Sequence, residues 1–132
     1  VATTFATLVN TLEALSVAGV NRRYTQGPPA SLKANELPAQ WVTMPTGERP
    51  ATAKSSNWSR KTADLVIAVE PFSLGTQPQN FEGMIRVMDA AETALNGLSL
   101  GKTQPTWTIR APVVGVADND YWGVVATVEI DG

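Results

Sequence analysis

The chain has 132 residues, twelve acidic against ten basic side chains for a net charge of −2, and neither cysteine nor histidine. That inventory excludes disulfides, thiolate metal sites, cysteine nucleophiles and imidazole bases, and the mild acidity argues against affinity drawn from nucleic-acid phosphates. One domain with one core is expected at this length; no apolar run approaches the roughly 20 residues of a membrane-spanning helix, so the chain reads as soluble and intracellular.

Residues Thr3 to Ser16 carry Phe5, Leu8, Val9, Leu12 and Leu15 at helical spacing, with Thr3 or Thr4 as cap and Gly19 as the stop. From Val20 to Pro38, Gly27, Pro28, Pro29 and Pro38 mark an irregular connection, which Leu32 and Leu37 are expected to pin to the core. Arg22 and Arg23 read as compensation for a helix C-terminus. A short strand is predicted over Ala39 to Met44, with Trp41 and Val42 on opposite faces.

Pro45 to Ser59 holds almost no aliphatic residues and a positive bias from Arg49 and Lys54, running into Arg60 and Lys61, with Trp58 near its end. A segment this polar cannot fill a core, and unstructured loops of such length are uncommon without a function. It is read as a protruding hairpin arm, residues 45–59, that orders against another molecule, the alternative being a floppy hairpin loop with Trp58 folded back on the sheet. The strand after it, Thr62 to Pro71, places Ala63, Leu65, Ile67 and Val69 on one wholly apolar face and Asp64, Val66, Ala68 and Glu70 on a mixed one. The sheet should therefore be covered fully on one side and partly on the other.

A second helix is predicted with Phe81, Met84, Ile85, Met88, Ala91 and Leu95 as its apolar stripe, starting after Thr76 or Asn80 and stopping at Asn96 and Gly97. Thr106 to Val116 reads as a strand whose face parity changes at Pro112, at a bulge or a sheet edge. Asp118, Asn119 and Asp120 supply a turn, and Tyr121 to Ile130 is the last strand. The order α-β-β-α-β-β predicts an α+β fold: a four-stranded antiparallel or mixed sheet, two helices packed on one face, and the long arm between the first two strands.

Chemistry finds no carrier. Gly97 to Thr103 (GLSLGKT) has three residues between its glycines where a phosphate-binding loop needs four, and it lacks the preceding strand. Asp118 and Asp120 lack the further ligands of a hard-cation site. Neither a catalytic residue nor a cofactor or metal site is expected, so the chain is read as no enzyme. Four tryptophans, an edge strand and a basic arm on an acidic body are instead signals of assembly, and an arm docking on the next copy makes a head-to-tail contact that closes into a ring when the rotation permits.

The run LPAQW (Leu37 to Trp41), the strand ADLVIAVEP (Ala63 to Pro71), the helix FEGMIRVMDAAETAL (Phe81 to Leu95) and the ending YWGVVATVEIDG resemble the tail terminator proteins of long-tailed bacteriophages over nearly the whole chain. The resemblance implies a virion protein at the head-proximal end of the tail, assembled in the host cytoplasm as a hexameric ring. Such a ring caps the last ring of tail tube protein and receives the head connector; DNA passes through its lumen without specific binding. It carries no catalytic residues. Within it, Arg49, Lys54, Trp58, Arg60 and Lys61 are expected at an intersubunit or tube-facing contact. A head-to-tail connector or tail completion subunit is the nearest alternative, and a small-molecule binder or carboxylate enzyme the alternative of another class.

Overall fold

The structure is a computed structural model that describes residues 4–49, 59–71, 77–98 and 105–131. Among them, two helices and seven strand segments form a mixed, open α+β arrangement. At its centre β4 (Arg60–Pro71) and β7 (Asn119–Asp131) pair antiparallel from Arg60 opposite Asp131 to Pro71 opposite Tyr121. Their middle residues from Leu65 to Val69 and Gly123 to Ala126 are buried on both faces, which is why both read as near-continuous runs of Val, Ile and Ala.

The four predicted strands are present, and one of them is broken. The first, expected over Ala39 to Met44, is β2 (Ala39–Val42), antiparallel to β4. Beyond Pro45, which has no N–H to give, an unexpected strand β3 (Thr46–Glu48) also pairs antiparallel with β4. The third divides at Pro112 into β5 (Thr106–Arg110) and β6 (Val113–Val116), both paired with β7. A further strand, β1 (Arg22–Arg23), joins β2 in parallel inside what was expected to be an irregular connection. The sheet is thus larger than four strands, and Thr46–Glu48, expected within the arm of residues 45–59, is strand, while residues 50–58 of that segment lie outside the described residues.

Helix α1 (Phe5–Glu13) starts where Thr4 Oγ1 accepts from the Thr7 N–H at 3.1 Å. It ends well before the expected stop at Gly19, and two outside donors take its next carbonyls: Arg23 Nη1 donates to Ala14 O at 2.9 Å, and Gln40 Nε2 to Leu15 O at 2.8 Å. The chain then turns through Ala18 and Gly19, where the left-handed φ of 88° suits glycine. Helix α2 (Gln77–Asn96) lies on the same side of the sheet.

Leu8 and Leu12 of α1 and Met84, Val87, Ala91 and Leu95 of α2 meet Val42, Leu65, Ile67, Val124, Ala126 and Val128 of the sheet in one core. Each fully buried aliphatic side chain there contributes roughly 1.5–3 kcal/mol relative to exposure. The α2 stripe differs from the expected one, since Val87 is buried while Phe81 and Ile85 are exposed.

The opposite face is half covered. Trp41, Val66, Tyr121, Val125, Val114 and Val116 form a second cluster closed over by Tyr24, Leu32 and Leu37, as the anchoring role of the two leucines requires. Val114 occupies the space above Gly123: a Cβ at position 123 would overlap its side chain and come within 3.3 Å of Ile67 O. Gly123→Ala is therefore expected to cost about 1–3 kcal/mol in urea unfolding. Adding Val114→Ala should give a double variant less destabilised than the sum of the single changes; strict additivity would show that this overlap is not the cause.

Candidate assembly surface

The half of the second face that no described residue covers is polar by strand register. Thr46, Thr62, Glu129 and Thr106 stand in one cross-strand row, and Asp64, Thr127 and Thr108 in the next. Thr127 Oγ1 donates to Asp64 Oδ1 at 2.7 Å. Arg60 reaches both neighbouring strands, with Nη1 at 3.3 Å from Glu48 Oε1 and Nε at 3.3 Å from Glu129 Oε1. Such partly exposed pairs contribute about 0–1 kcal/mol, so their effect is to fix a flat surface of hydroxyls and mixed charge rather than to hold the fold together.

The five residues expected at an interface fall in different places. Lys54 and Trp58 lie outside the described residues. Arg49 is exposed just after β3, whereas Arg60 and Lys61 belong to β4 and not to a loop. Strand alternation then separates these two: Arg60 takes the polar face, and Lys61 turns toward the helices. There Lys61 is only 7% exposed, its Nζ 2.6 Å from Ser59 Oγ and 5.3 Å from the centroid of the Phe5 ring. The Phe5 ring in turn lies over Gly47, where any Cβ would collide with it. Lys61 is thus part of how α1 sits on the sheet, a correction to its assignment as an arm residue.

The two sheet margins differ. One is formed by β1 and by β3: β1 is two residues long and arginine-bearing, with Arg22 stacked 4.9 Å over Tyr24 and 3.6 Å from Glu36, and β3 is three residues long; short, charged edges resist added strands. At the other margin, β5 and β6 make no backbone hydrogen bond to any described residue beyond their pairing with β7. Val113 stands half exposed there.

Two concavities flank α2. One, about 420 Å³, lies among Ala18, Leu37, Pro38, Val69, Glu70 and Arg86; a register shift between Ala68 and Glu70 sends Glu70 to the helix side, with Oε1 3.7 Å from a Cβ placed on Gly83. The other is a shallow groove on the outer surface of α2, lined by Phe81 and Ile85. The sequence reading assigned both residues to the core; their signal was a second i, i+4 apolar pair offset from the Met84, Val87, Ala91 and Leu95 stripe. Among the described residues no three His, Cys, Asp or Glu side chains cluster to hold a metal ion, and no helix is long and apolar enough to cross a membrane.

The placement of the basic residues makes an asymmetric stability prediction. Lys61→Glu buries an unpartnered carboxylate under Phe5 and is expected to lower the unfolding free energy by about 2 kcal/mol or more, while Arg49→Glu stays within about 0.5 kcal/mol of the parent. Equal effects in denaturant titration would contradict the burial of Lys61. Compared with protein-family models and with curated proteins, the sequence matches none.

Proposed function

We propose that this chain is a structural virion subunit of a long-tailed phage that assembles head to tail into a ring, ends tail-tube growth and joins the tail to the head connector. The observation that carries this reading is the margin formed by β5 and β6, whose outer side has no backbone partner among the described residues. Such an edge is completed by a strand from a neighbouring chain.

Further support comes from the difference between the two margins. A contact between unlike surfaces propagates from copy to copy and closes into a ring when the rotation permits, whereas a contact of one surface with itself stops at a dimer. The resemblance of Ala63 to Pro71, Phe81 to Leu95 and the C-terminal strand to tail terminators supplies the tail-tube partner. The polar surface around Asp64, Thr127 and Thr108, with its mixed charge, is suited to line a channel without retaining DNA.

The test is assembly in the presence of tube protein. The native mass is expected to be a multiple of 14.0 kDa, with rings visible by negative stain on tube ends, and tube polymerisation is expected to stop when the chain is added. A protein that remains solitary and leaves tube length unchanged would overturn the reading. Stacking on the head connector alone, with no effect on tubes, would transfer it to a connector role.

A further inference from the structure

The outer surface of α2 carries an exposed apolar pair. Phe81 and Ile85, one turn apart, are 67% and 43% exposed, and with Glu82, Arg86 and Asp89 they bound a groove of about 360 Å³. Glu82 and Asp89 form no ion pair with a described residue. The groove is therefore an apolar floor with a net negative rim. The same chain carries the opposite chemistry elsewhere: residues 49–59 contain Arg49, Lys54 and Trp58 and no acidic side chain.

We propose that the α2 groove receives residues 49–59 of a second copy, with Trp58 seated on Phe81 and Ile85 and the basic side chains against Glu82 and Asp89. The inference rests on the head-to-tail reading above and adds to the contact at the β5–β6 margin a second pair of unlike surfaces. Tryptophan with a basic neighbour is the composition that anchors interfaces, and opposite charge at the rim fixes the register of the segment.

Chain geometry makes the contact intermolecular. Strand β4 advances about 3.3 Å per residue, so its Glu70 end, which lies against Gly83 of α2, is on the order of 30 Å from Arg60. Trp58 precedes Arg60 by two residues, and connectivity keeps it within about 7 Å of that residue's Cα however the chain runs. A molecule cannot bring its own Trp58 to its own Phe81. Segment and groove sit toward opposite ends of one subunit, and joining them links each copy to the next through unlike surfaces.

The absence of native cysteine makes the test specific. Full-length Ser56→Cys protein is mixed with full-length Glu82→Cys protein and oxidised, with Glu36→Cys in place of Glu82→Cys as the control; thermal unfolding checks that each variant folds. A disulfide-linked heterodimer from the first mixture and none from the control is expected. Lys54→Glu should weaken association about tenfold, and Glu82→Lys on the same chain should restore it. Rings that form without the cross-link and are indifferent to Lys54→Glu would overturn this docking while leaving the ring reading intact. A cross-link with no ring under any condition would uphold the docking and overturn the ring; failure of both would overturn both.

Discussion

The pairing of β4 with β7 is the constraint on which the rest of the molecule depends. Its ladder runs from Arg60 opposite Asp131 to Pro71 opposite Tyr121, and every other strand but β1 pairs directly with one of these two. Its register decides what each face becomes. Slipping it by one residue would exchange Leu65 and Ile67 for Asp64 and Val66 beneath the helices. Because that exchange would strand a carboxylate among aliphatic side chains, the hydrophobic pattern specifies the register.

From this axis the two faces acquire different tasks. The helical side is a filled core in which α1 covers the β2 side and α2 the β7 side. The opposite side is divided across its width: the irregular connection and β6 close one half, and register rows of threonine and charge leave the other half polar. Hydrogen bonds to residues remote in sequence set the connection in place. Tyr24 N–H donates to Gln40 O at 2.8 Å, Asn21 N–H to Pro38 O at 2.8 Å, and Tyr121 Oη to Leu32 O at 3.4 Å, so the segment that looks irregular in sequence is anchored at both ends and in the middle.

Much of this was legible in the residue pattern, for identifiable reasons. Period-two alternation placed β4 and β7, Thr4 marked the start of α1, and Pro112 marked the parity change between β5 and β6. What the pattern could not supply was anything decided by a distant partner. At the early end of α1 the next carbonyls are taken by Arg23 and Gln40, which are remote in sequence. The orientation of α2 depends on which of two overlapping apolar stripes meets the sheet, and the stripe with Val87 prevailed over the one with Phe81 and Ile85. The burial of Lys61 follows from strand parity, but only once β4 is known to begin at Arg60 rather than Thr62. The proposed assembly surface was legible as composition, in the basic residues and tryptophan before β4, and not as location.

Pro112 has a consequence for solubility. An unbroken outer margin from Thr106 to Val116, rich in Thr, Val and Ile, would be a template on which identical chains could stack without limit, the arrangement that underlies fibrils. A residue that has no N–H to offer interrupts that template between Arg110 and Val113, so an incoming strand finds two short footholds instead of one long track. Among the described residues the margin stays unpaired, yet it offers poor purchase to an indiscriminate strand.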